Sequence, residues 1–137
     1  MIRVTRAVVR SRPEVDREPI VTDASEFERE VEDAIDRDDP IELMDVVLRI
    51  GHDAPDREWA QSCCMQLSRH RSAHVRGNAI AGFGHLARRF GRLDPNAIKR
   101  RVDIALHDQS PYVREQARSA AEDLETFLEW EFDAPPE

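Results

Sequence analysis

Four residues near the middle of the sequence have side chains that could bind a metal ion: Cys63, Cys64, His70 and His74. Thiolates and imidazoles are common zinc ligands, but zinc sites usually separate a pair of cysteines by two to four residues. Here the two cysteines are adjacent, and adjacent cysteines could form only a strained disulfide. The sequence therefore favours two reduced thiols, and we predict neither a metal nor another cofactor.

Two further patterns could indicate chemistry. The stretch AGFGHLARRFG at 81–91 is rich in glycine but lacks the Gly-Lys-Ser/Thr ending of a phosphate-binding loop. It lies within a predicted helix, so we expect Gly82 and Gly84 to permit close helix packing. No nucleophile stands beside a candidate base, and no paired carboxylates indicate acid–base catalysis. We therefore predict that the chain is not an enzyme.

Basic side chains cluster at 88–101 and could contact the phosphates of a nucleic acid. They are Arg88, Arg89, Arg92, Lys99, Arg100 and Arg101. The formal net charge of −8 opposes this interpretation, and the few aromatic residues offer no series for stacking bases. Nucleic-acid binding therefore ranks below protein binding, as an alternative.

Acidic side chains are concentrated near the two ends of the chain. Residues 23–45 contain eleven acidic and two basic side chains, and residues 119–137 contain seven acidic and none basic. Such segments can steer a basic partner toward the protein, although they also simply favour solubility. The candidate steering residues are Glu28, Glu32, Asp36, Glu122, Glu125 and Glu129.

Helix signals are frequent along the chain. Asp or Ser precedes Pro at 39–40, 94–95 and 110–111, which supplies an N-cap followed by a residue suited to the first turn. A capping box at Ser25 and Glu28 marks another start, and Gly51 and Gly91 are expected to end helices. These signals predict six helices, at 25–37, 40–50, 57–69, 73–90, 95–107 and 111–131.

The helices form one predicted domain at 23–132, preceded by an N-terminal arm at 1–22 and followed by a disordered tail at 133–137. No apolar run reaches the roughly 18 residues expected of a membrane span, and the N-terminus lacks the apolar block of a signal peptide. We therefore expect a cytoplasmic protein that does not contact membranes.

A sequence phrase recurs after 38 residues: SAHVRGNA at 72–79 and SPYVREQA at 110–117. The same shift aligns helices three and four with helices five and six without a gap, so the repeating unit is a helical hairpin. Helices one and two provide a third, more divergent hairpin.

The segment HDQSPYVREQARSAAEDLETFL at 107–128 resembles the second half of a HEAT repeat. The matching residues are Asp108, Pro111, Val113, Arg114, Ala117, Ala121 and Leu124. The resemblance implies an all-α fold, a short right-handed α-α superhelix of about three hairpins. It also implies a structural ladder of Asp108, Arg76 and Arg114, in which Arg114 bonds Asp108. His70 replaces the Asp in the earlier copy, which leaves the corresponding bond open.

The resemblance places a partner on the concave face, where Asn78, His85, Arg89 and Gln116 are the candidate binding residues. Positions that differ between the copies, such as His74 against Tyr112 and Gly77 against Glu115, are where specificity is expected.

We therefore predict a non-catalytic protein-binding module or adaptor. Its most specific form is an immunity protein that blocks a basic bacterial toxin; nineteen arginines against one lysine fit a GC-rich bacterial genome. The alternatives are a nucleic-acid-binding protein and an accessory role of the bilin-lyase HEAT-like type. The sequence specifies neither the partner nor the oligomeric state.

Overall fold

The structure is a computed structural model that describes residues 18–132, with side chains from Ala24 onward. Six α-helices and no strand occur in this range, so the predicted all-α class is confirmed. The helices are α1 (Glu18–Arg37), α2 (Pro40–Asp53), α3 (Arg57–Leu67), α4 (Ala73–Phe90), α5 (Pro95–Ala105) and α6 (Pro111–Leu128). The predicted tail and residues 1–17 of the predicted arm lie outside the described residues.

Five of the six helices begin after an Asp or Ser residue with extended backbone, at positions 39, 56, 72, 94 and 110. In four of them the cap side chain accepts a hydrogen bond from a backbone N–H of the first turn, and Asp94 is the exception. Gly91 ends α4 with a φ of 74°, as expected for a glycine in the left-handed region. Each of these helix ends depends on residues close to it in the sequence, which is why the caps and Gly91 could be identified from the sequence.

Five predicted helix boundaries differ from the structure. Helices α3, α5 and α6 end at Leu67, Ala105 and Leu128, two or three residues before their predicted ends. Helix α1 begins at Glu18, so Ser25 lies inside the helix and does not cap it; Pro19 in the first turn is compatible with this earlier start. Helix α2 continues through Gly51 to Asp53, and Ala54 leaves the helix with a ψ of 131° because Pro55 follows it. A Cβ at Gly51 would lie 3.2 Å from Cδ2 of His85, so this glycine permits close packing by α4.

The second helix of each hairpin packs against the second helix of the next. Helix α4 lies between α2 and α6 and contacts both, while α1, α3 and α5 pack beside their own partners α2, α4 and α6. We call α2, α4 and α6 the inner helices. This is the order expected of stacked hairpins, and winding into a right-handed superhelix stays a prediction.

The 38-residue repeat is visible in the pattern of burial. Val75, Ala79 and Leu86 on α4 are fully buried, and so are their equivalents in the next repeat, Val113, Ala117 and Leu124, to within 1%. Each set recurs with helical spacing, so it forms one face directed into the core. The core therefore fixes the register of α4 and α6 in the same way.

Arg76 joins the two repeats through a bidentate ion pair. Its Nε donates to Oδ2 of Asp108 at 3.0 Å, and its second terminal nitrogen donates to Oδ1 at 2.8 Å. Arg114, by contrast, donates to the backbone carbonyls of Asp108 and Gln109 at 2.7 and 3.1 Å. The predicted ladder residues therefore meet, but the carboxylate of Asp108 is bound by the arginine of the preceding repeat and not by Arg114.

His70 takes the place of Asp108 in the earlier repeat. The backbone N–H of Ser72 donates to Nδ1 of His70 at 3.0 Å, as the N–H of Ser110 donates to Oδ1 of Asp108 at 2.9 Å. Because Nδ1 accepts, the ring proton lies on Nε2, which is 2.6 Å from Oδ1 of Asp38. The bond left open by the sequence is thus replaced by one that reaches the first hairpin.

We expect Arg76→Ala to lower the free energy of unfolding by about 1–3 kcal/mol, because the mostly buried carboxylate of Asp108 loses its two bonds from Arg76. Asp108→Ala should have a similar effect, and the double variant should cost less than the sum of the two. Urea denaturation of the four proteins measures this coupling. If the changes in the free energy of unfolding were strictly additive, the interaction between Arg76 and Asp108 would not contribute to stability.

The same coupling should depend on pH. Burial raises the pKa of Asp108, but the bonds from Arg76 and the Ser110 N–H outweigh it and hold the pKa below its ordinary value. The pair's contribution is therefore present above the ordinary aspartate pKa of about 3.9 and is lost as the pH falls through the lowered value.

Candidate functional site

Three of the four residues predicted to face a partner lie where α4 meets α2. Asn78 is 7% exposed, and its Nδ2 donates to the carbonyl oxygen of Met44 at 3.2 Å. Arg89 donates to the carbonyl oxygens of Gly51 and Ala54 at 2.9 and 2.6 Å. These carbonyls belong to the last turn of α2 and its cap, where an arginine satisfies unpaired acceptors. Asn78 is therefore buried and bonded within the fold, Arg89 is engaged in helix capping, and partner binding by this row stays a prediction.

The residues that differ between the two repeats contact each other. The hydroxyl of Tyr112 donates to Oδ1 of Asn78 at 2.5 Å, and its ring lies 4.7 Å from that of His74. A Cβ at Gly77 would lie 2.7 Å from Cε2 of Tyr112 and 3.3 Å from Cγ of Gln116. Gln116, the fourth predicted binding residue, thus packs where α6 meets α4. Divergence at these positions reflects complementary packing between neighbouring repeats.

His85 occupies a half-buried position between α2 and α6. Its ring centroid lies 4.6 Å from that of His52 on α2, and Nδ1 is buried without a partner among the described residues. Burial lowers the pKa of His85, and the nearby His52 and Arg88 lower it further against the opposing charge of Asp123. The unprotonated imidazole is therefore favoured at this position.

The predicted acidic steering residues fall into two groups. On α1, Oε2 of Glu32 accepts a hydrogen bond from the Trp59 indole at 3.2 Å, so this carboxylate also fixes a core side chain. Glu28 is partly buried, whereas Asp36 is exposed. On the last helix and its cap, Glu122, Glu125 and Glu129 are all exposed. The C-terminal group therefore fits a solvated steering surface better than the α1 group does.

The basic residues at 88–101 are directed to different parts of the molecule. Arg88 binds Asp123 on α6 at 3.0 Å, and Arg89 binds α2 as described above. Lys99 lies 5.6 Å from the centre of the Phe132 ring. Three of the six cations therefore have separate local partners, which weakens the case for a single nucleic-acid-binding patch.

The structure exposes an apolar face that the sequence analysis missed. Ile41 is 76% exposed and Leu48 is 39% exposed, and their spacing of seven residues places them on one face of α2. Asp45 and His52 share this face and are also exposed. We call Ile41, Asp45, Leu48 and His52 the α2 stripe. The sequence contained a sign of this exposed face. Helix α2 has apolar residues, Ile41 and Leu48, in addition to those on its buried face.

The four residues considered as metal ligands do not form a cluster in the structure. Cys63 and Cys64 are both buried, because α3 packs against α2 as well as α4. Burial raises the pKa of Cys64 to about 12, so its thiol is protonated at neutral pH. His70 and His74 contact Asp38 and Tyr112. Within the described residues, no three His, Cys, Asp or Glu side chains are grouped to hold a metal.

Close packing explains Gly82 and Gly84. A Cβ at Gly82 would lie 2.9 Å from Sγ of Cys64, and one at Gly84 would lie 2.6 Å from Oδ2 of Asp123. The prediction that these glycines permit close contact is confirmed.

Comparison with protein-family models, with curated proteins and with solved structures found no match to this chain. Among the helices described here, none has the length and apolar character needed to cross a membrane.

We expect Gly77→Ala to destabilise the protein by about 1–3 kcal/mol, because the added methyl group overlaps the Tyr112 ring. The cost should be much smaller in a Tyr112→Ala background, where that space is vacant. Thermal and urea unfolding of the single and double variants measure the difference. An equal cost of Gly77→Ala in both backgrounds would contradict this packing.

We also expect His85 to contribute to acid sensitivity. The folded chain binds a proton at His85 less readily than the unfolded chain, so stability should fall as the pH drops below the ordinary histidine pKa of about 6.5. Replacing His85 by Gln should make the decline between about pH 7 and pH 5 shallower. His107→Gln, at an exposed site on the other side of the molecule, is the matched control. Equal slopes for wild type and His85→Gln would contradict the expectation.

Proposed function

We propose that this chain is a non-catalytic module that binds another protein through the α2 stripe. The observation that carries the proposal is the exposure of Ile41 and Leu48 on one face of a helix whose opposite face is buried. Exposed apolar side chains that lie together and are surrounded by charge are typical of protein interfaces. Helix α2 is also packed against α1, α3 and α4, so its exposed face is already ordered before binding, which lowers the cost of association.

The charge around the stripe indicates the chemistry of the partner. Residues 24–53, which form most of the first hairpin, contain eleven acidic and three basic side chains. Some of these carboxylates are paired, as Glu42 is with Arg37 at 2.6 Å, but Asp45 stands exposed between the two apolar residues. The complementary partner has an apolar centre with basic residues around it, and electrostatic attraction accelerates its association.

In its most specific form, the proposal is that this chain is an immunity protein and that the partner is a basic bacterial toxin. The acidic first hairpin and the exposed Glu122, Glu125 and Glu129 support it, because both would attract a basic domain. We further propose that the three hairpins form a HEAT-like solenoid and that the protein acts in the cytoplasm. The shared burial pattern of α4 and α6 and the Arg76–Asp108 pair support the solenoid.

The test compares capture of a partner from the host by the wild type and by stripe variants. We expect the wild type to retain one stoichiometric protein with a basic surface, and Ile41→Gln with Leu48→Gln to weaken its binding by about thirtyfold or more. Gln66→Ala, at an exposed site on α3, is the control and should bind like the wild type. Affinities are measured by calorimetry once the partner is purified.

Two results would contradict the proposal. One is a partner whose affinity is the same for the wild type and the stripe variants. The other is retention of nucleic acid in place of a protein, with a gel shift that weakens steeply as salt rises. For the immunity form, a toxin encoded next to this gene should be the captured protein and should lose activity when bound.

A further inference from the structure

A groove of about 810 Å³ lies at the edge of the helix stack. One wall is the turn between α3 and α4, and the other is the C-terminal end of α5 with the turn that follows it. Arg76 and Asp108 line the groove from opposite walls and are joined by the bidentate ion pair. The walls are therefore held at a fixed separation, so the groove is built into the repeat and does not depend on a mobile loop.

The lining of the groove contains three arginines and two aspartates, so it has a small formal excess of positive charge, whereas the protein as a whole is acidic. Arg69 and Arg71 line it together with the Arg76–Asp108 pair. Arg71 binds Asp38 at 2.7 Å, whereas the exposed side chain of Arg69 has no bonded partner among the described residues. The remaining carboxylate of the lining is Asp103, which balances one of these charges.

Arg101 is a second cation without a described ion-pair partner, and it lies close enough to Arg69 for the two charges to interact. It lies one helical turn before Ile104 on α5, and its Nε is buried without a hydrogen-bond partner within the described chain. Burial lowers the pKa of Arg101, and the neighbouring charge of Arg69 lowers it further. Two like charges with an unsatisfied donor are unfavourable unless an anion lies between them.

The groove also offers an apolar contact. Ile104 is 50% exposed, and it lines the groove together with the basic groups and His107. A volume of this size falls in the range of about 300–1,000 Å³ for small-ligand pockets, which suits a short segment better than a folded domain. Arginine binds carboxylates in a planar, bidentate manner that gives both affinity and orientation.

We propose that this groove binds an acidic segment of a protein, in which an apolar side chain on Ile104 is flanked by carboxylates on Arg69 and Arg101. The occupant differs in charge from the partner proposed for the α2 stripe, and the groove involves α4, α5 and the turns beside them instead of α2. The two surfaces are thus independent, and one chain could join a basic protein to an acidic segment of another.

The experiment uses a fluorescein-labelled peptide of one leucine with three glutamates on either side, and measures its binding by fluorescence anisotropy. We expect Arg69→Gln to weaken binding by about tenfold and Ile104→Gln by about fivefold. Arg92→Gln removes an equally exposed charge outside the lining and should bind like the wild type. A peptide with glutamine in place of glutamate should not bind, and wild-type affinity should fall as salt rises.

Arg69 is exposed and has no described side-chain bond, so Arg69→Gln should have the melting temperature of the wild type. If its melting temperature is lower, Arg69→Lys, which keeps the charge, serves as the second variant. Three outcomes would overturn the proposal. The acidic peptide could bind the wild type and Arg69→Gln with equal affinity, the glutamine peptide could bind the wild type as tightly as the acidic peptide does, or the wild type could bind no acidic peptide. Tighter binding of a single-stranded oligothymidylate that depends on Arg69 would also overturn it, because the occupant would then be a nucleic acid. Ile41→Gln with Leu48→Gln should bind the acidic peptide normally, so failure of either proposal is distinguishable from failure of the other.

Discussion

The structure depends on the close approach of α4 to the two inner helices beside it. Backbones can approach this closely only where side chains are absent, and Gly51, Gly77 and Gly84 each stand opposite a side chain of a neighbouring helix. Close packing leaves polar groups of the contact without water, so they must bond within the protein. Asn78 and Arg89 meet this requirement by bonding Tyr112 and the carbonyls of α2. One constraint thus explains the glycines and the polar side chains together.

The ladder that contains Asp108 and His70 follows the same rule with different chemistry. Asp108 and His70 both accept a bond from the backbone N–H two residues later, and each then binds a side chain of a neighbouring repeat. A histidine can replace an aspartate because one ring nitrogen accepts while the other donates. The exchange reverses the polarity of the second bond, so a carboxylate, Asp38, takes the place of an arginine as its partner.

The sequence predicted features that depend on nearby residues. The cap residues at 39 and 110, the left-handed Gly91 and the matching burial of Val75 and Val113 all follow from local signals and from the repeat. The candidate site could not be predicted in this way. The sequence shows that Asn78 is polar and on which side of α4 it lies, but it does not show which residues of the neighbouring helices Asn78 contacts. Likewise Gly51 matched a helix end, but its position against His85 became known only with the fold.

Asn78 is buried between the inner helices, so the proposed function rests on the α2 stripe, which is exposed. Methyl NMR of the chain, titrated with its purified protein partner, tests this account most directly. If the partner binds the α2 stripe, the methyl signals of Ile41 and Leu48 should shift or broaden, while those of the fully buried Ile98 and Leu124 should remain unchanged. Unchanged signals at Ile41 and Leu48 in a partner-saturated sample would contradict it.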